Sequence, residues 1–205
     1  MHVILSAVSK GPHDSSLPPT SIEFSSGTAT LTRAETERRP TVLGLIASGR
    51  MRADAGLVTI DGATDYSALR RRIALIDAPG VCEPADDVTV AQVVAEELMF
   101  AGRVGTRRGV RQVLTHLGLS GDEKSAMANL GPDARIRLLT ELAVLREGVE
   151  GLVLCSPDRH GGNPRGWWAI AQGLAERGYA VLAIAGDASA HAITAHTFEL
   201  EGLSR

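Results

Sequence analysis

The chain has 205 residues, enough to bury one good core with a small appended subdomain. Its hydrophobic content of 44% and charged content of 22% are ordinary for a globular protein in water. A net charge of −3 and only 3% aromatic residues argue against a basic nucleic-acid face and against base-stacking platforms, so no nucleic-acid partner is expected.

Val3 to Val8 is a short apolar strand, and Gly11 to Pro19 reads as a loop rich in Gly, Pro and Ser. Ser21–Phe24 and Thr28–Thr32 read as strands joined by the turn Ser25-Ser26-Gly27. Pro40 to Ser48 is a helix, with Pro40 suited to a first turn and Gly49 to a stop. Gly56-Leu-Val-Thr-Ile-Asp-Gly62 is a strand bounded by glycines, and a short helix at Ser67–Arg72 leads into the strand Ile73–Ile76. Beyond Pro79 the spacing turns helical. Val88–Phe100 places Val90, Val93, Val94, Leu98 and Met99 on one side. Gly109–Leu117 and Asp133–Leu145 come next as helices, with Gly118-Leu-Ser-Gly121 as the end of the first. The strand Leu152–Leu154, a helix at Trp167–Arg177 and the strand Ala180–Ala185 complete the series. Strand and helix alternate around a helical block from about Asp86 to Asn129. This predicts an α/β fold, a sheet flanked by helices with an inserted helical subdomain.

Cys82 and Cys155 lack CxxC spacing, so no zinc site or disulfide framework is implied, and the composition suits a reducing cytosol. The opening residues lack the basic start and long apolar region of a secretory leader. No apolar run approaches the roughly 18 residues of a membrane span. Any membrane link is expected to run through a partner protein.

One segment carries the most information: Gly151-Leu-Val-Leu-Cys-Ser-Pro-Asp-Arg-His160, a buried strand running into a loop. Its neighbours set it in a frame. Gly56–Gly62, Leu69–Ile76, Asp87–Leu98, Leu138–Leu145 followed by Gly151–Pro157, and Gly178–Ile184 occur in one order and at consistent spacing. In that order the chain resembles the nucleotide-binding domain of ABC transporters along nearly its whole length. The resemblance implies a P-loop NTPase-like core at 1–80 and 131–205, a helical subdomain at 81–130, and a single cassette-like domain over 1–205.

The positions that would carry nucleotide chemistry depart from the family pattern. A phosphate-binding loop needs glycines whose N–H groups point inward, and a Lys that meets the phosphates. The aligned positions are Ala34, Glu35, Thr36, Glu37, Arg38, Arg39, Pro40 and Thr41. None is glycine, Pro40 stands where the Lys would be, and only Thr41 keeps a magnesium-binding hydroxyl. Glu35 and Glu37 bring charge of the wrong sign, partly offset by Arg33, Arg38 and Arg39. The Q-loop glutamine falls at Asp77 or Ala78, and the signature segment reads Leu130-Gly-Pro-Asp-Ala134. The Walker B acids, which in the family hold Mg²⁺ and activate water, are replaced by Cys155 and Ser156. The D-loop aspartate aligns near Gly162, the switch histidine with Gly186, and Gly11-Pro-His13 offers no ring to stack on adenine.

The bland readings of the remaining features are preferred. Cys155 at a strand end is a possible nucleophile position, but no base accompanies it, and buried thiols are usually inert. Arg159-His160-Gly161-Gly162 reads as a plain turn rather than an anion loop. The six histidines, His191 and His196 among them, lack metal-ligand spacing, so no metal is expected. Arg70–Arg72 and Arg107-Arg108 read as solvated faces, with contact to lipid headgroups or a partner as the lesser reading. Trp167-Trp168 anchor the helix that comes after the Cys-Ser-Pro loop.

The expectation is therefore a degenerate, catalytically silent ABC-type subunit with no catalytic residues and no cofactor. It would dock through the part of its helical block around Asp86 to Gly102 on an integral membrane transport or export protein, on the cytoplasmic face of the membrane. The resemblance implies a homodimer, or a heterodimer with an ABC-type subunit. Two alternatives are a weak ATPase that binds ATP and Mg²⁺ with help from a competent partner, and an unrelated α/β enzyme using Cys155 or His160.

Overall fold

A computed structural model describes residues 1–35 and 39–203, with backbone alone from His196 onward. Thr36, Glu37, Arg38 and the side chain of His196 lie outside the described residues.

Two sheets share one helix. The strands β1 (His2–Lys10), β2 (Leu17–Ser25) and β4 (Ala55–Ile60) form an antiparallel sheet in the order β2-β1-β4. The strands β3 (Ala29–Arg33), β5 (Ile73–Ile76), β6 (Gly151–Cys155) and β7 (Ala180–Ala185) form a parallel sheet in the order β3-β7-β6-β5. Buried on both faces, β5, β6 and β7 read as continuous apolar runs.

The strand period of two divides these residues between two cores. Ile73, Leu75, Val153, Cys155, Ala180, Leu182 and Ile184 face α1 (Arg39–Ala47) and the antiparallel sheet. Ala74, Ile76, Leu152, Leu154, Val181, Ala183 and Ala185 face the opposite helical layer. That layer contains α3 (Val90–Phe100), α4 (Arg107–His116), α5 (Pro132–Ala143) and α6 (Pro164–Glu176). The helix α1 lies between the sheets. Leu43, Ile46 and Ala47 are fully buried there, so it has no polar stripe of any width.

Local chemistry sets most boundaries. Asp65 caps α2 (Tyr66–Arg72) by accepting from the N–H groups of Ser67 and Ala68, at 2.9 Å each. Thr89 and Gln92 form a reciprocal capping box at the start of α3. Asn163 caps α6 and Pro164 fills its first turn, which starts that helix before the predicted Trp167.

Three expectations are corrected and one element is added. Leu17–Pro19 belongs to β2 rather than to a loop, because Leu17 pairs with Lys10 of β1 across a register shift between Val8 and Lys10. The turn after Ser25 leads from one sheet into the other. Met99 is exposed instead of sharing the buried face of α3. A seventh helix, α7 (Asp187–Leu203), comes after β7. No helix among the described residues is long and apolar enough to cross a membrane.

Candidate functional site

The carboxyl ends of the parallel strands form the edge where open α/β folds place their chemistry. Asp77 stands after β5, Ser156 after β6, Gly186 after β7 and Ala34 after β3. Asp77 and Ser156 hold left-handed backbones, with φ of 55° and 47°. Such strain in non-glycine residues persists only where surrounding contacts hold it.

Asp77 is the centre of a buried ionic cluster. Its Oδ2 and Oδ1 accept from Arg135 Nε (3.0 Å) and Nη2 (2.8 Å), a two-pronged pair between side chains only 1% and 2% exposed. Arg159 Nη2 lies 3.0 Å from Asp77 Oδ1, and Arg159 Nη1 donates to the Asp77 carbonyl. His160 Nε2 lies 3.0 Å from Asp77 Oδ2. Arg159 also donates to Glu83 at 2.9 Å, and Arg135 Nη1 donates to the Met127 carbonyl at 3.4 Å.

Burial alone would push the Asp77 carboxyl pKa up. The hydrogen bonds from Arg135, with the charges of Arg159, Arg135 and His160, outweigh burial and hold it below the ordinary carboxylate value. The charges of Arg135 and Arg159 offset those of Asp77 and Glu83 within the cluster. It also ties the first turn of α5 and the 3-10 turn Pro157–His160 to the end of β5. The turn predicted at Arg159–Gly162 thus carries two members of this cluster.

Cys155 points the other way. Its side chain is 1% exposed, and Sγ lies 3.7 Å from the Pro40 carbonyl at the start of α1. A Cβ on Gly44 would stand 2.3 Å from that sulfur, so α1 approaches β6 as closely as it does only because residue 44 is glycine. Burial pushes the Cys155 thiol well above its ordinary pKa. A protonated, enclosed thiol is an inert one. Ser156, half-buried, begins the turn that delivers Arg159 and His160.

Two carboxylates sit at the start of α7. Asp158 Oδ2 accepts from Gly186 N–H (3.0 Å) and Glu35 Oε1 from Asp187 N–H (2.8 Å). Both satisfy donors that a helix start leaves open, and their charge suits its positive end. Of the other aligned loop positions, Pro40 is buried, while Arg39 and Thr41 are half-buried in the first turn of α1. Arg39 Nε is buried without a hydrogen-bond partner among the described residues. Gly131 precedes α5, and Gly162, with φ of 85°, packs against Pro132. Asp133 packs so closely on Gly166 that a Cβ there would lie 2.1 Å from a carboxylate oxygen.

Trp167 is buried with Trp168 edge-on at 6.2 Å, an anchor for α6 as predicted. Arg72 pairs with Glu150 and Asp61 and is not a freely solvated cation. Among the described residues no three His, Cys, Asp or Glu side chains converge in a metal-binding group.

Comparison with solved structures decides what this arrangement resembles. One match is a nucleotide-free ATP-binding cassette from an ABC transporter, with TM-score 0.63, 16% identity, and coverage of 91% of this chain and 82% of that one. A putative ABC transporter ATP-binding protein from Pyrococcus furiosus matches with TM-score 0.64, 12% identity, and coverage of 91% and 92%. The chain has the fold of an ABC-transporter ATP-binding cassette. A third such cassette, determined from a twinned crystal, matches with TM-score 0.66, 17% identity, and coverage of 90% and 81%. No protein-family model matches the chain, and no curated protein does.

The cassette fold puts the Asp77 cluster at the same sheet edge as the positions read from the sequence. The sequence located Asp77 but not its role, because Arg135 lies 58 residues away. The one available signal was an acidic residue set directly after an all-apolar strand.

Proposed function

We propose that this chain is a cassette-type subunit that does not hydrolyse ATP and instead supports or regulates a membrane transport or export protein by docking on it. The observation that carries this reading is the end of β6. A cassette that works on Mg-ATP needs oxygen ligands for magnesium there and a base for water. This chain offers Cys155, a protonated thiol turned into the core, and Ser156.

The rest of the sheet edge is consistent with that. Asp77 has both carboxylate oxygens engaged by Arg135, Arg159 and His160. Pro40 brings neither the amine of a phosphate-binding lysine nor an N–H. Glu35 and Asp158 already occupy the helix start at Asp187, where an anion would otherwise be favoured. These residues do not fit magnesium nucleotide. The burial of Cys155 likewise argues against an unrelated cysteine enzyme.

In this reading the segments 1–80 and 131–205 form the core and 81–130 the helical subdomain that meets the membrane protein. The chain would work on the cytoplasmic face of the membrane, paired with a second copy or with an ABC-type subunit.

Two experiments test it. Purified chain incubated with Mg-ATP should release no phosphate above the buffer rate. Release that disappears in a Thr41→Ala variant would overturn the reading. In membranes solubilised from the native host, the chain should co-purify with an integral membrane protein, and recovery as a lone monomer would count against docking.

A further inference from the structure

The tip of the helical block has a composition unlike the rest of the molecule. Residues 98–121 contain Arg103, Arg107, Arg108 and Arg111 and no Asp or Glu, in a chain whose net charge is −3. Among the described residues, none of these four guanidinium groups has a carboxylate partner. Of the acids that flank this stretch, Glu97 pairs with Arg146, Glu141 with Arg177, Asp122 accepts from Ser125 and Glu123 from the Gly121 N–H, while Glu96, one turn before Phe100, is a single exposed carboxylate against the four arginines.

Met99, Phe100 and Val104 stand on the same tip, 61%, 64% and 80% exposed. The Arg146 guanidinium lies 5.6 Å from the Phe100 ring. Beside the tip a cleft of about 810 Å³ opens between α3 and α4, lined in part by Arg107, Arg111, Lys124 and Glu123.

Exposed apolar side chains cost free energy in water, and four unpaired cations repel one another. Both costs are relieved where an apolar layer lies under a layer of negative charge, which is the make-up of an anionic bilayer surface. A purely acidic polymer such as poly-glutamate would answer the arginines alone. It would leave unexplained why three large apolar side chains protrude from a loop and the helix end beside it.

We propose that the α3–α4 tip binds anionic phospholipid directly, with Phe100, Met99 and Val104 entering the headgroup boundary and the arginines meeting lipid phosphates. This contact needs no partner protein and is independent of whether the chain binds nucleotide.

The test is co-sedimentation of the purified full chain with vesicles of phosphatidylcholine alone or mixed with phosphatidylglycerol. Binding should require phosphatidylglycerol and weaken with salt. Each of Arg107→Ser, Arg108→Ser and Arg111→Ser should weaken it about fivefold. The double variant Phe100→Ser/Val104→Ser, with its charge unchanged, should weaken it roughly tenfold or more. All five positions are on the surface or partly exposed, so the unfolding transitions should match wild type, which separates lost binding from lost folding. Equal binding to both vesicle types, or binding to neither, overturns the proposal. So does binding that is indifferent to Phe100→Ser/Val104→Ser and is matched by poly-glutamate, which would mark the tip as a site for an acidic protein.

Discussion

Replacing Asp77 with Asn tests whether the buried cluster holds the sheet edge together. Asn keeps the size of the side chain and tolerates the left-handed backbone at φ 55°, so the change is confined to charge and hydrogen bonding. Arg135, 2% exposed, would then be a buried cation facing a neutral amide. Removing one partner of a buried pair costs about 3–5 kcal/mol. The lower end applies here, because the Asn carbonyl still accepts one bond and Arg135 also reaches the Met127 carbonyl. Arg159 and His160 lose an acceptor too, but they are 19% and 27% exposed and can turn to water. For a domain of this size a loss of about 3 kcal/mol lowers the melting temperature by roughly 6–12 °C. Adding Arg135→Met removes the stranded cation, and the double variant should recover at least about 2 kcal/mol relative to the summed single changes. Urea unfolding followed by the fluorescence of Trp167 and Trp168 measures all four proteins. A loss below about 1 kcal/mol in Asp77→Asn, or strict additivity with Arg135→Met, would refute the account of the cluster.

The same carboxylate gives a pH dependence. Its folded pKa lies below the ordinary value, so its contribution is complete above the unfolded value of about 4 and is lost as pH falls through the folded one. Wild type should therefore lose stability in that acid window more steeply than Asp77→Asn, as read from urea midpoints at successive pH values. Gly44→Ala should destabilise by about 1–3 kcal/mol, since its Cβ would press on the Cys155 sulfur at 2.3 Å and on Leu75 at 3.1 Å. Combining it with Cys155→Ala should return part of that loss, and no coupling would place α1 elsewhere. An aromatic disulfide reagent should label only Cys82 in the native protein and reach Cys155 after unfolding. Rapid labelling of two thiols under native conditions would contradict the closed environment of Cys155.

The sequence disclosed the parts of the fold whose signals are local. Ile73–Ile76 and Ala180–Ala185 have the predicted limits, because strands buried on both faces need unbroken apolar runs. The order of the segments was enough to suggest a cassette-like architecture, and the matching structures carry that fold at 12–17% identity. Non-local pairing was not legible. The bond from Asp77 to Arg135 spans 58 residues, and a lone acid after a strand reads as an ordinary loop residue. The helix α7 was not legible either, because residues 187–203 carry no clear 3.6-residue apolar stripe. Met99 was misplaced for a related reason. At the end of α3 the apolar spacing continues past the last turn that has a neighbour to cover it. The exposed Met99 side chain instead stands with Phe100 and Val104 on the tip that carries Arg103, Arg107, Arg108 and Arg111.

The central claim is that a cassette fold here stands on its own ionic cluster and not on magnesium nucleotide. Equilibrium titration of the purified chain with a fluorescent ATP analogue in the presence of Mg²⁺ tests it most directly. The account predicts no saturable signal through the millimolar range, the same with and without magnesium. Saturable binding in the micromolar range that requires magnesium and is weakened by Thr41→Ala would contradict it.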